Sequence, residues 1–247
     1  MSQSLERGLA ALTALAEGPQ TLDGLAQRLG VHKTTAMRLL RTLESGRFVR
    51  REDAHRYRLG SAVFALAHQA LDDLDAREVA RSFLTGLGER SGHTVHLAML
   101  DDDQVVYIDK VDSIHPVRMY SRIGRRAPLH CTAVGKALVA ELPQQERERL
   151  VRRIGYPKLT PGTIDSPERF LAELDRVRAR GYATDRSEHE EFTHCIAAPV
   201  HNHRGETVAA MSISVPKVLL SWEDLLGWLP DLRRTAAEIS RELGNRQ

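Results

Sequence analysis

Cysteine is scarce: Cys131 and Cys195 are the only two in 247 residues, too few for a disulfide framework. No apolar run approaches the length that crosses a bilayer, and no secretory leader pattern opens the chain. These absences predict a cytoplasmic protein with no membrane partner. Internal repeats and low-complexity stretches are missing as well, which sets aside a repeat architecture. Nor does one sign of charge dominate, since 35 Lys/Arg stand against 33 Asp/Glu for a formal +2.

What is present is enough apolar residue content, 42% over 247 positions, for one large core or two smaller ones. The first strong pattern is Thr21 to Leu43, TLDGLAQRLGVHKTTAMRLLRTL. Leu22, Leu25, Ala26 and Leu29 share one face of a helix that Thr21 can cap, and Gly30 ends it. Val31 is the expected buried residue of the turn. Ala36, Leu39, Leu40 and Leu43 then recur at helical spacing in a second helix. Two short helices around a glycine turn predict a helix-turn-helix.

The second helix begins with His32, Lys33, Thr34 and Thr35, and Arg38 lies one turn on. In this motif that end enters the major groove, where hydroxyls and cations suit base edges and phosphates. Phe48-Val49 and Tyr57-Arg58-Leu59 read as strands around the polar tip Glu52 to Arg56, a wing that would lay Arg56 along the DNA backbone or minor groove. Charge agrees: residues 1–60 hold ten Lys/Arg against six Asp/Glu, and the remainder 25 against 27. A basic head on a mildly acidic body fits a chain whose head alone touches nucleic acid. Leu5, Leu9, Leu12 and Leu15 predict a first helix, stopped by Gly18-Pro19, that closes the head.

Residues 62–74 read as a linker helix, more apolar than a surface helix needs, which suits a cover for the head and a dimer contact alike. Another helix runs from Ala76 to Ser91. The period then changes: His93 to Leu100, Gln104 to Val111 and Val117 to Ile123 read as antiparallel strands, the first pair turned by Asp101 to Asp103. Helices follow over Cys131 to Leu142, Gln144 to Ile154, and Ser166 to Arg180, the last with Pro167 at its first position. Strands return at Tyr182 to Asp185, Cys195 to Val200 and Thr207 to Val215. Ser221 is expected to cap one final helix reaching nearly to the end. The class is α/β (α+β): a winged helix-turn-helix over residues 1–60, a linker helix over 61–78, and a sensor-like domain over 79–247 with a largely antiparallel six-stranded sheet.

No motif calls for a cofactor. Gly135-Lys136 invites comparison with a phosphate-binding loop, but His130 stands where that loop needs glycine and Ala137 where it needs Ser or Thr. What remains is a helix start at Cys131-Thr132, a natural seat for a small anion. Cys131 and Cys195, with His130, His189 and His194 nearby, suit a cysteine-dependent enzyme or a metal or redox sensor, although their spacing fits neither well. A buried cysteine lining a pocket is the plainer reading. Glu188, Glu190 and Glu191 read as a solvated loop. Asp185 and Cys195 flank that loop at strand edges, and Ser212 and Ser214 share one strand face, so the four point toward a polar pocket.

Four stretches carry a family resemblance: SLERGLAALTALA, the helix-turn-helix, PLHCTAVGKALVA, and GYATDRSEHEEFTHCIAAPV followed by MSIS. Over nearly its full length the chain resembles the IclR family of bacterial transcriptional regulators. The resemblance implies a winged head and a GAF-like domain that binds a small metabolite, with no enzymatic activity. It also implies dimers, or tetramers made of dimers, that repress or activate genes of carbon-source catabolism from operator DNA. It places a small effector, a carboxylic or sugar acid, between Ala133-Val134 and Asp185, Cys195, Ser212 and Ser214, with Met119 on the apolar wall. The chain departs from the family at Phe192-Thr193-His194, where a glycine, an aliphatic residue and an arginine are common.

Overall fold

The computed structural model describes residues 3–53, 55–72, 76–117, 119 and 121–246, with the side chains of 67–72 excepted. It divides into two compact units, residues 1–74 and 75–247.

The first unit is built from α1 (Gln3–Ala16), β1 (Gln20–Thr21), α2 (Leu22–Arg28), α3 (Lys33–Ser45), β2 (Val49–Arg51), β3 (Arg56–Leu59) and α4 (Ser61–Asp72). Thr21 caps α2 as its sequence position suggests, its hydroxyl accepting from Gly24 N at 3.1 Å. Gly30 ends the helix with φ of 61°, a left-handed backbone that glycine adopts without strain. The core joins Ala14, Leu15, Leu25, Leu40, Val49 and Tyr57. The wing is a three-stranded sheet, because β1 pairs with β3 through Gln20↔Tyr57 and Thr21↔Arg56. Two residues give no alternation to read, so that strand was not foreseen.

Two expectations for this unit are corrected. Val31 is only half-buried. On α1 the buried residues are Ala11, Ala14 and Leu15, whereas Leu5 and Leu9 are 63% and 56% exposed. Leu5, Leu9 and Leu12 instead border an open apolar groove with Leu39, Leu43 and Phe48, because small alanines let α1 approach its neighbours along a different stripe. α4 carries exposed Phe64 and Leu66; its expected last residues, 73–74, lie outside the described residues.

The second unit contains α5 (Ala76–Ser91), β4 (Thr94–Asp101), β5 (Gln104–Val111), β6 (Arg126–Ala127), α6 (Ala133–Ala140), α7 (Gln144–Arg153), α8 (Pro167–Arg180), β7 (Ala183–Arg186), β8 (Thr193–His201), β9 (Thr207–Pro216), α9 (Trp222–Leu226) and α10 (Leu229–Glu242). The sheet order is β6-β5-β4-β9-β8-β7, with every pairing antiparallel. Strand alternation sorts the side chains. Ala98, Ala183, Ala197 and Ala210 pack in one cluster with α6, α7 and α8. Met211, Ile213 and Val215 point the other way, toward the side on which α5 and α10 pack. Small residues under α6 let this helix lie close to the sheet.

Among the described residues of Val117 to Ile123 the expected strand is absent. Residues 118 and 120 lie outside the described residues, and the rest of the segment is irregular. Its carbonyls are taken by a side chain: Lys110 Nζ donates to Met119 O at 3.1 Å and Ser121 O at 2.9 Å. The sixth strand is β6, paired through Val105↔Ala127 and Val106↔Arg126 after a turn at Arg122–Arg125. The single last helix is also corrected. Ser221 caps α9, accepting from Asp224 N at 3.1 Å, but the run breaks at Gly227-Trp228. Pro230 has no N–H to give a preceding turn, so it opens α10 instead of continuing α9.

Candidate functional site

The register of the sheet brings the expected residues together. Asp185 lies opposite Cys195, Cys195 opposite Ser214, and Ser214 opposite Thr94, a polar row crossing four strands. One step along, Ser212 pairs with Ala197 and His96. By strand periodicity these side chains share the α6 face, and α6 begins beside them. Thr132 caps that helix, accepting from Gly135 N at 3.2 Å and donating to Pro128 O at 2.7 Å. Gly135 is required by close approach, since a Cβ there would sit 2.6 Å from the Leu129 carbonyl oxygen.

Because α6 starts partway across the sheet, a cavity remains at its N-terminal end. Met119, Ala133, Val134, Asp185, Cys195, Ser212 and Ser214, all seven effector residues anticipated in the sequence, line it. The space open to the centre of a water-sized molecule is about 30 Å³. The cavity therefore suits a compact ligand. His96, Tyr107, Ser121, Arg125 and Thr193 also line it without having been expected there, and so does Glu190, which the sequence had read as part of a solvated loop. A histidine inside the apolar strand HTVHLAML was a usable signal for His96. Thr193 is one of the three positions at which the chain departs from the family pattern.

The electrostatics follow from burial. His96 is held uncharged, its pKa lowered to about 3 by desolvation and then by Lys110. Its Nε2 lies 2.6 Å from Ser121 Oγ and its Nδ1 3.3 Å from Ser214 Oγ. A neutral ring donates from one nitrogen and accepts at the other, so it fixes both hydroxyls in direction. Asp185 is 2% exposed, and desolvation raises its pKa to about 7 against the pull of backbone donors. Its Oδ1 accepts from Glu188 N at 2.7 Å and from His189 N at 3.4 Å.

Glu188 corrects the solvated-loop reading. Its Oε1 meets Lys136 Nζ at 2.6 Å, with the lysine side chain 1% and the glutamate 13% exposed. Lys136 thus spans from α6 to the loop after β7 instead of serving a phosphate. Thr160 and Thr163 hold the same loop, their hydroxyls donating to Ser187 O at 2.6 Å and Glu188 O at 2.7 Å. These contacts fix the loop whose next residues, His189 and Glu190, line the cavity. The enzyme and metal alternatives gain nothing: burial pushes both the Cys131 and Cys195 thiols up, away from the thiolate a nucleophile needs. Among the described residues, His, Cys, Asp and Glu do not gather in threes at metal-binding distance.

In the first unit, His32 caps α3, its Nδ1 3.4 Å from Thr34 N and 3.0 Å from Thr34 Oγ1. Thr34 and Arg38 are exposed and Thr35 half-buried. Lys33 meets Asp23 at 2.8 Å and Arg56 meets Asp53 at 2.9 Å, both pairs in solvent. Such pairs are weak and exchange readily for a phosphate. Arg51 is held against Tyr57, donating from Nη2 to the phenol oxygen at 2.9 Å.

Comparison with known proteins covers both units. Residues 4–53 match the IclR helix-turn-helix domain, and residues 68–241 match the bacterial transcriptional regulator IclR C-terminal domain. The HTH-type transcriptional regulator KdgR of Escherichia coli K12 is 38% identical over 221 residues, covering 89% of this chain and 84% of that protein. The regulator XynR of the same strain is 35% identical over 245 residues, covering 98% and 97%. Among solved structures, the Agobacterium tumefaciens repressor BlcR aligns with a TM-score of 0.88 at 28% identity, over 99% of this chain and 98% of that one. Among the described residues, no helix is long and apolar enough to cross a membrane.

Proposed function

The chain belongs to the IclR family of bacterial transcriptional regulators, and from that premise we propose that a small carboxylic or sugar acid in the cavity controls operator binding by the head. The observation that carries this reading is the convergence of Asp185, Ser212, Ser214 and the start of α6 on one buried polar space. Backbone N–H groups of the first turn and two hydroxyls offer donors to a carboxylate or carbonyl, in a site where water competes little. Ala133 and Val134 supply the helix end, Met119 the apolar wall, and Cys195 a neutral thiol. On the head, Lys33, Thr34, Thr35 and Arg38 face the major groove, with His32 at the helix tip and Arg56 of the wing on the backbone. The exposed apolar residues of α4 belong to a homodimer or homotetramer contact, since paired heads read paired half-sites.

An effector shifts the DNA-competent state only through its differential affinity for the two states. Ser212→Ala combined with Ser214→Ala therefore abolishes the response to effector without weakening DNA binding in its absence. Titrating candidate acids into protein on labelled operator DNA, wild type beside double mutant, tests this. An unchanged response in the mutant places the effector elsewhere.

A further inference from the structure

Within the cavity, Asp185 presents a problem that its geometry answers. A bare carboxylate facing an anionic effector would repel it, and at 2% exposure little water is present to screen the pair. Both hydrogen bonds that Asp185 accepts fall on Oδ1, from the amides of Glu188 and His189. Oδ2 has no protein partner among the described residues, and Asp185 lines the cavity. Resting on the effector-site reading above, we propose that Asp185 meets the effector as a neutral acid with its proton on Oδ2, so that an anionic effector binds together with one proton.

Among the described residues, the surroundings of Asp185 leave no surplus cation to hold two anions side by side. On α6, Lys136 is engaged by Glu188 at 2.6 Å. The segment before β6 brings Arg125 to the cavity, and the loop after β7 brings Glu190 with His189. The two cations and two carboxylates balance in number. The remaining titratable neighbours are uncharged: His96 of β4 and His189 are kept deprotonated by burial, and Tyr107 of β5, Cys131 before α6 and Cys195 of β8 are kept protonated by it. An ionised Asp185 would already tip this described set negative. Desolvation pushes Asp185 up to about 7, so near neutrality its proton is available. With Oδ1 occupied by two donors, that proton sits on Oδ2, the oxygen a ligand can meet.

The proton makes Asp185 a donor, so the site favours an oxo or carboxylate oxygen at this position over a ligand hydroxyl's donated hydrogen. It also ties affinity to pH. Pyruvate and gluconate, ionised throughout, are titrated by calorimetry from about pH 6 to about pH 9 in buffers of different ionisation heat. Wild-type Kd stays level below about 7 and rises by up to about tenfold per pH unit above it, with up to one proton taken up per ligand. Asp185→Asn keeps a donor at the Oδ2 position and binds at every pH as tightly as wild type does at low pH. A pH-independent wild-type Kd with no proton uptake, or loss of binding in the asparagine variant, overturns the proposal and leaves the cavity as an effector site. A second measurement needs no ligand: the carboxyl resonance of carbon-13-labelled aspartate that vanishes in Asp185→Asn is followed through a pH titration. Titration near 7 supports the neutral acid, and titration in the ordinary carboxylate range overturns it, whichever acid binds. Absence of binding by both acids at every pH counts against the effector-site reading beneath it.

Discussion

A carboxyl group taken out of water favours its neutral form, and the resulting pKa shift is also a statement about folding. Asp185 rises from 3.8 to about 7, so the folded chain binds a proton that the unfolded chain has released across that interval. Stability is unaffected below about pH 4, declines as pH rises, and is lower by about 4 kcal/mol above about 7, at about 1.4 kcal/mol per unit. Asp185→Asn removes this loss while keeping an acceptor for the Glu188 amide. Thermal melts are expected to place the variant level with wild type near pH 4 and above it near pH 8; equal melting at both values would mean that Asp185 ionises freely. His96 acts in the opposite direction. Its lowered pKa means the unfolded chain binds the extra proton, so stability falls as pH drops below about 6.5 toward about 3.

At the scale of elements, α3 shows how a short helix can present an exposed polar edge while staying fixed to its unit. Ala36 and Leu40 hold one face in the core, and Lys33, Thr34 and Arg38 are left exposed on the other. Lys33→Ala with Arg38→Ala is expected to weaken operator binding with the fold intact. A lost base contact costs about 1–3 kcal/mol and relaxes sequence preference, whereas a lost phosphate contact weakens all sequences alike and flattens the salt dependence by about one unit of slope. Gel-shift series across salt distinguish these, and unchanged binding would remove α3 from the groove. The helix-turn-helix was legible because Thr21, Gly30 and the apolar spacing all act locally. The capped starts at Ser166 and Ser221 were legible for the same reason. Elements decided by distant partners were not: β1 exists because β3 lies beside it, and the carbonyls of Met119 and Ser121 go to Lys110. Glu188 looked like loop solvent because nothing in SEHEEF marks it as the partner of a lysine 52 positions earlier. The cavity itself was half legible: strand alternation gave Ser212 and Ser214, but the neighbours contributed by β4 and β5 depended on register.

At the scale of the whole chain, each unit carries its own core, one around Leu25, Leu40 and Tyr57 and the other around α6 and the sheet. Scanning calorimetry is therefore expected to resolve two transitions, of which an effector raises only the one belonging to residues 75–247. At a hundredfold its dissociation constant the gain is about 2.7 kcal/mol. A shift of the other transition alone would relocate the ligand to the head. The net positive charge lies in that head, ten Lys/Arg against six Asp/Glu over residues 1–60, so added salt is expected to weaken operator binding more than it weakens a ligand enclosed in the cavity. One feature sets the terms for anyone who would turn this regulator into a biosensor. All eight residues of α6 are buried, and Gly135 has no room for even a methyl group. A library aimed at a new analyte should leave that helix untouched and randomise Met119, Glu190 and Thr193, which border the cavity from two loops and a strand end. If the cavity is the effector site proposed above, diversity there changes its ligand while the buried helix that walls it stays in place.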